Sequence, residues 1–161
     1  MIKSFNEKPI VITMGDPSGI SGEILLKTWL EKDHEFIPNF FSIDSPERLN
    51  SISDLFKLNV PIKEISDPIE VKHYFPKFLP VLSLNDKITS TLGKPEIKNN
   101  KYIIQSIERG VDLALKKEVK ALVTSPISKS ILIETGFKYF GQTKFISEIT
   151  YKKKKKKFEE I

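Results

Sequence analysis

The chain has 161 residues, no cysteine and a formal net charge of +5, from 26 Lys and Arg against 21 Asp and Glu. This length suits one domain or parts of two, and 39% hydrophobic with 29% charged residues is typical of a soluble globular protein. Without cysteine, disulfides and Cys-based metal sites are excluded. No apolar stretch approaches the roughly 20 residues of a membrane span. Because we find no secretory leader, we expect the protein to be located in the cytoplasm.

The first elements follow from β-branched runs, turn residues and helix caps. Residues 9–14 are a β-branched run between Pro and Gly, which predicts a buried strand, and a turn at 15–19 leads to a helix over 23–30. Ser45 is a predicted N-cap, because Pro46 and an acidic residue follow it directly. We expect the second helix to bury one apolar face, formed by Leu49, Ile52, Leu55 and Phe56.

The second half continues the same alternation. Strands are predicted at residues 60–65, 79–84 and 119–124. A long helix is predicted over 100–117, because apolar residues recur there every four positions, at Ile103, Ile107, Val111 and Leu115. A short helix then ends at Gly136, a predicted left-handed cap, and the last one spans 143–149. The alternation predicts an α/β fold with a layered, mostly parallel sheet.

Six consecutive lysines, residues 152–157, account for the positive charge of the chain. Without them the acidic and basic residues nearly balance. A block of like charges repels itself, so residues 151–161 are predicted to form a disordered, lysine-rich tail. The alternative is an electrostatic arm for nucleic acid or an anionic membrane, although the aromatic residues near it are limited to Tyr151 and Phe158.

Two turns after predicted strands are candidate ligand sites, because parallel sheets bind ligands at the carboxyl ends of their strands. The first, residues 15–23, has three glycines and places Asp16 at the mouth of the strand; alternatively, the glycines only serve a tight turn with positive φ. In the second, residues 124–129, Lys129 would pair with an anion at a helix start, or else face solvent. The histidines, His34 and His73, lie 39 positions apart and are interpreted as surface residues, so no metal ligands or catalytic residues are assigned.

Three motifs in this sequence resemble those of the 4-hydroxythreonine-4-phosphate dehydrogenases. They are residues 9–20 (PIVITMGDPSGI), residues 121–129 (ALVTSPISK) and residues 141–145 (GQTKF), with Gly136-Phe137 before the last. The resemblance runs from about residue 8 to 150. It implies that residues 1–150 are an amino-terminal portion containing parts of both family domains, with an incomplete fold similar to that of the isocitrate and isopropylmalate dehydrogenases.

The resemblance implies a cytoplasmic, homodimeric oxidoreductase of pyridoxal phosphate (vitamin B6) biosynthesis. Such enzymes use NAD or NADP to oxidise 4-phosphooxy-L-threonine to a 3-oxo acid, which decarboxylates to 3-amino-2-oxopropyl phosphate. A divalent metal (zinc, magnesium or cobalt) held by histidines polarises the hydroxyl. The implied partner is therefore a small phosphorylated amino acid, with no specific nucleic acid and no membrane.

The resemblance also assigns site residues. The Gly-His-Thr motif of the family reads Gly141-Gln142-Thr143 here, so Gln142 and Thr143 are predicted to bind substrate, with Asp16 and Lys129 as further candidates. Gln cannot carry a proton at neutral pH as His can. The metal-binding histidines, the cofactor-binding groups and the cationic phosphate contacts of the family lie beyond residue 150.

We therefore expect no metal-binding or cofactor-binding residues in this chain, and a truncated, inactive amino-terminal half that ends where a reading frame slipped in the lysine run. The alternative function is a non-catalytic α/β binding module with a polybasic tail.

Overall fold

Five strands form one parallel sheet in the structure, a computed structural model that describes residues 8–34, 37–84, 87–134, 136–139 and 141–159. The strands are β1 (Ile10–Thr13), β2 (Phe40–Asp44), β3 (Ile62–Ile65), β4 (Leu79–Ser83) and β5 (Ala121–Val123). Their order is β3-β4-β2-β1-β5, and every strand pair is parallel. In the register, Ile10 of β1 lies between Phe40 and Ala121. The predicted α/β class with a mostly parallel sheet is confirmed.

Helices connect the strands. They are α1 (Ser21–Leu30), α2 (Pro46–Leu55), α3 (Val71–Tyr74), α4 (Asn100–Leu115), α5 (Lys129–Glu134) and α6 (Gln142–Glu159), with short 3-10 turns at Glu31–Asp33, Pro68–Glu70 and Ile97–Asn99. No helix among the described residues combines the length and the apolar character that a bilayer crossing requires.

Two hydrophobic clusters pack around the sheet. The larger joins α1, α2 and α3 to the strands and includes Leu26, Phe41 and Leu49 at its centre. The smaller joins α4, α5 and α6 through Ile107, Leu132, Phe145 and their neighbours. The predicted stripe of α4 supplies this second cluster, with Ile103, Ile107 and Val111 buried.

The beginning of α2 confirms its predicted cap, whereas its end does not follow the prediction. The Ser45 hydroxyl accepts a hydrogen bond from the backbone N–H of Arg48 at 3.2 Å, and Pro46 occupies the first turn. Leu49 and Ile52 are buried as expected. Leu55 and Phe56, however, are 64% and 40% exposed, because the last turn extends past the cluster that covers the earlier residues.

The lysine run is helical, so the prediction of a disordered tail is wrong for residues 151–159. Instead of ending near residue 149, α6 continues to Glu159. Lysine is a good helix former, and two ion pairs offset the repulsion between neighbouring ammonium groups. Lys152 pairs with Glu148 one turn earlier, at 3.4 Å. Lys153 Nζ lies 2.6 Å from Asp112 Oδ1, which fixes α6 against the last turn of α4.

Candidate functional site

The first two sequence motifs meet at the carboxyl edge of the sheet, between β1 and β5. The chain leaves β1 towards β2 on one side, and β5 lies on the other, so this is the position where the strand order reverses. Such a position leaves a crevice in which ligands of parallel α/β proteins bind. The turn after β1 contacts the loop after β5 directly, since the Asp16 backbone N–H donates to the Pro126 carbonyl at 2.9 Å.

Close packing explains Gly15 and Gly22, two of the three glycines of the first turn. A Cβ atom on Gly15 would lie only 2.2 Å from the Pro126 carbonyl oxygen, and one on Gly22 would lie 2.5 Å from Ile52 Cδ1. The positive-φ glycines of the described chain are Gly93 and Gly136, so the alternative that the turn glycines serve positive φ is wrong. The space that Gly15 leaves is filled by the protein's own backbone rather than left open for the phosphates of a dinucleotide.

Asp16 is buried inside the turn and does not line the cleft formed by the other predicted residues. Its carboxylate accepts a hydrogen bond from the Ser18 backbone N–H at 2.9 Å. Its carbonyl accepts bonds from the backbone N–H of Gly19 and from the Ser21 hydroxyl. In this structure Asp16 therefore shapes the turn, and it is not among the residues that line the cleft with Gln142.

A buried ion pair supports the same turn from behind. Arg48 of α2 binds the carboxylate of Asp44 through two nitrogens, at 2.9 and 2.6 Å, and the side chains are only 3% and 2% exposed. The same guanidinium donates to the Pro17 carbonyl at 3.3 Å, and the Ser90 hydroxyl donates to that oxygen at 3.1 Å. The pair thus ties the end of β2 and the start of α2 to the first motif.

The third motif completes an open cleft of about 660 Å³ beside the second. Three of the four predicted site residues, Gln142, Thr143 and Lys129, line it together. The remaining lining residues are Thr124, Gly141, Lys144 and Ser147. The structure therefore brings the second and third motifs into one site.

Gln142 presents one unused polar atom. Its amide nitrogen donates to the Ser125 carbonyl at 3.0 Å, which fixes the side chain across the two motifs. Its Oε1 oxygen is buried and has no hydrogen-bond partner among the described residues. A buried acceptor without a donor costs free energy. A ligand ammonium or hydroxyl group that reached this oxygen would remove that cost.

The charges around the cleft favour an anion. Lys129 and Lys144 are both exposed on its rim, and no acidic residue is among the described residues that line it. The amino terminus of the long helix α6 lies at Gln142, where the helix dipole also favours negative charge. The hydroxyls of Thr143 and Ser147 add further hydrogen-bond donors. The cleft therefore has the chemistry to hold a phosphate or a carboxylate.

Aromatic packing fixes the start of α6 at this cleft. Phe145 is buried, with its ring 5.2 Å from that of Phe137 and 5.1 Å from that of Tyr139. The chain reaches Phe137 through Gly136, whose φ of +81° after α5 confirms the predicted left-handed cap. The three rings pack the first turn of α6 against the segment that follows α5.

The described residues do not fit the metal and dinucleotide that the resemblance implies. No group of three His, Cys, Asp or Glu side chains in the described ranges is close enough to hold a metal ion. His34 and His73, the only histidines of the sequence, are both exposed. The closest candidate for a diphosphate, the Gly15 turn, is occupied by the Pro126 backbone.

Sequence reasoning missed several residues of the site. Lys144 and Ser147 line the cleft, and Ser147 lies one helical turn after Thr143, a spacing that would have identified it once α6 was placed. The supporting pair of Asp44 and Arg48 also had a signal, namely opposite charges four positions apart around a helix cap.

A larger cavity lies elsewhere in the described part of the chain. It has about 930 Å³ and runs between α2 and residues 87–92. None of its lining residues belongs to the three sequence motifs. We therefore assign the site to the smaller cleft, where the motifs, the cations and the unpaired Gln142 oxygen coincide.

Comparison with known proteins identifies the family of the chain. Residues 37–158, which include the second and third motifs, match the family described as pyridoxal phosphate biosynthetic protein PdxA. The chain is 37% identical over 140 residues to 4-hydroxythreonine-4-phosphate dehydrogenase of Zymomonas mobilis, covering 87% of this chain and 40% of the relative. It is 36% identical over 146 residues to the enzyme of the same name from Methylorubrum extorquens, covering 89% and 42%.

Solved structures agree with the fold. A 4-hydroxythreonine-4-phosphate dehydrogenase from Klebsiella pneumoniae superposes with a TM-score of 0.73 at 25% identity, over 90% of this chain and 45% of the other. One from Burkholderia phymatum gives a TM-score of 0.76 at 22% identity, over 89% and 43%. The chain thus spans about two fifths of the length of the curated relatives that it matches. On the strength of the family match, the chain belongs to the PdxA family of pyridoxal phosphate biosynthetic proteins.

Proposed function

We propose that this chain provides the substrate cleft of a 4-hydroxythreonine-4-phosphate dehydrogenase, and that the cleft binds 4-phosphooxy-L-threonine. The observation that carries the proposal is the unpaired, buried Oε1 of Gln142 beside two lysines and a helix amino terminus. A phosphorylated amino acid carries both kinds of group that this arrangement attracts. Its phosphate or carboxylate would pair with Lys129 and Lys144, and its ammonium or hydroxyl would donate to Gln142.

The residues of the chain can orient this substrate but are not assigned a part in its oxidation. Gln142 and Thr143 would fix the amino acid by hydrogen bonds, and Gln142 has no titratable proton to exchange at neutral pH. The overall reaction of the family oxidises the substrate hydroxyl to a ketone, after which carbon dioxide leaves. We propose from family membership alone that NAD or NADP accepts the hydride, that a divalent metal assists, and that the enzyme is a cytoplasmic homodimer. The described residues place neither group, so no step is assigned to them.

Isothermal titration of the purified chain with 4-phosphooxy-L-threonine tests the proposal. We expect saturable binding that is weakened about tenfold or more by Lys144→Ala or Lys129→Ala, because a hydrogen bond to a charged group contributes about 1.5–3 kcal/mol. Lys98→Ala is the matched control, since Lys98 is exposed and pairs with Glu96 outside the cleft. Equal binding of unphosphorylated threonine, or equal losses in the control variant, would contradict the assignment.

A spectrophotometric assay of NAD and NADP reduction with the same substrate tests catalysis separately. We expect no turnover by the 161-residue chain alone, as the sequence resemblance predicts. Turnover would overturn that expectation while leaving the binding assignment in place.

A further inference from the structure

We propose that the lysine-rich end of α6 is a binding surface for single-stranded nucleic acid, held through its phosphates without reading of the base sequence. The surface comprises Lys116 and Lys117, which follow α4, and the lysines at positions 152–156 of α6; we call it the amino-edge lysine surface. The proposal is independent of the substrate cleft and goes beyond the function proposed for it.

The position of the surface follows from the packing of α6 on α4. α4 connects the carboxyl end of β4 to the amino end of β5, so its last turn lies at the amino edge of the sheet. The ion pair between Lys153 and Asp112 places the lysines of α6 beside that turn. Lys116 follows Asp112 by four positions and therefore shares its side of α4. The cleft, at the start of α6, is at the opposite edge.

The charge of the surface is strongly one-sided. Residues 112–118 and 148–156 contain seven lysines and three acidic residues, whereas the whole sequence outside the lysine run is nearly neutral. The lysines at 152, 154, 155 and 156 are all exposed, and Lys153 is half-buried in its ion pair. Because the helix is packed against α4, the backbone positions that carry these lysines form a fixed array. Phosphate binding to this array therefore orders the lysine side chains without also ordering the backbone that carries them.

Exposed groups beside the lysines favour nucleic acid over a membrane. Tyr151 directly precedes the lysines and is 67% exposed, which leaves its ring open to stack on a base. Insertion of a helix into a membrane surface requires a face of large apolar residues, whereas purely electrostatic attraction to anionic lipids does not. Between positions 150 and 156 the sequence offers only Tyr151 as a large exposed ring, and the other exposed side chains are lysines.

Fluorescence anisotropy with a labelled 20-nucleotide polyuridine tests the proposal. Four phosphate contacts predict a log–log salt slope near −2.8, so affinity falls about 50-fold between 50 and 200 mM salt. The variant K152Q/K154Q/K155Q/K156Q retains Lys153 and thus the pair that holds α6 in place. We expect it to bind at least tenfold more weakly at 50 mM salt and to flatten the slope by about 2–3, with unchanged helical circular dichroism.

Two controls distinguish binding at this surface from a general effect of net charge and from base stacking on other aromatic rings. K87Q/K94Q/K98Q/K138Q removes the same charge from exposed lysines outside the surface and is expected to retain the affinity and the slope. Tyr151→Ala is expected to lose several-fold in affinity, whereas Tyr151→Phe is expected to retain it, because only the ring is needed for stacking.

The proposal is overturned if the α6 variant binds polyuridine as the unchanged chain does, or if the control variant loses as much affinity. It is also overturned if the chain binds vesicles containing 30% phosphatidylserine and not the oligonucleotide, which would assign the surface to membranes.

Discussion

Removal of Arg48 is expected to cost a large share of the stability of the protein. In the variant Arg48→Met, the Asp44 carboxylate loses both of its guanidinium hydrogen bonds, at 2.9 and 2.6 Å, while its side chain remains only 2% exposed. Leaving one partner of a buried ion pair uncompensated costs about 3–5 kcal/mol. The total stability of a domain is roughly 5–15 kcal/mol, so the variant approaches the unfolding threshold.

Urea unfolding followed by fluorescence measures this loss. Trp29 is the only tryptophan, and it is buried with its indole N–H bonded to the Phe75 carbonyl at 3.1 Å, so its emission reports the opening of the core. With an m-value of about 2 kcal/mol/M, the midpoint should fall by about 1.5–2.5 M. Lys27→Met breaks the exposed pair with Glu23 and is the control, with an expected cost below about 0.5 kcal/mol.

A double-mutant cycle separates the ion pair from simple packing. The variant Asp44→Asn/Arg48→Met carries no buried charge at this position and should be more stable than Arg48→Met alone. The reasoning is refuted if Arg48→Met costs less than about 1 kcal/mol, or if the separate losses of Arg48→Met and Asp44→Asn add up to the loss of the double variant.

Three further changes test other contacts. Gly15→Ala places a methyl group against neighbouring backbone and should cost about 1–3 kcal/mol or more of stability. In Gly141→Ala the new methyl group meets no atom within 4 Å, so the cost should be under about 0.5 kcal/mol. Thermal unfolding of both variants measures the difference, and equal losses would contradict the packing argument. The Glu47 carboxylate accepts hydrogen bonds from the Glu47 backbone N–H and from a neighbouring serine hydroxyl, and these lower its pKa below 4.5. The stabilising effect of Glu47 is therefore present above about pH 4.5 and is lost as the pH falls through the lowered pKa. Urea unfolding from pH 7 to 3 measures the stability difference between the unchanged chain and Glu47→Gln, which should therefore shrink as the pH falls. Because Glu47 is exposed, this difference should stay well below about 1 kcal/mol at every pH. A difference that does not change with pH would contradict the linkage. Lys153→Gln breaks the half-exposed pair with Asp112 and should lower the free energy of unfolding by about 0.5 kcal/mol. It should also speed hydrogen exchange of the backbone amides in the last turns of α6. Unchanged exchange would show that the pair does not fix the helix.

The sequence was sufficient for those elements whose signals are local. The cap of α2 at Ser45 and the left-handed turn at Gly136 depend on one or two residues, and both were confirmed. The apolar stripe of α4 was predicted correctly, because one face of that helix meets solvent and its buried residues therefore recur at helical spacing. In contrast, β2 was not predicted, because all five of its residues are buried and it shows no alternation that marks a strand.

Tertiary contacts explain the remaining differences. The helical lysine run is stabilised in part by Asp112, which is 41 positions away from Lys153, and no local pattern reveals that pair. Likewise, Asp16 was expected at the mouth of the site because its turn follows a strand, but the Ser18 amide draws its carboxylate into the turn. The shared cleft of Gln142, Thr143 and Lys129 was foreseeable only from the motifs, because the second and third motifs meet through the long-range bond from Gln142 to the Ser125 carbonyl.

Because α6 is one continuous helix, it connects the cleft directly to the amino-edge lysine surface. Its first residue, Gln142, touches the cleft, and Lys156 lies about 21 Å farther along the same rod, at a rise of about 1.5 Å per residue. Because Phe145 is packed near its start and Lys153 is paired with Asp112 near its end, the helix keeps the cleft and the lysines at a fixed separation.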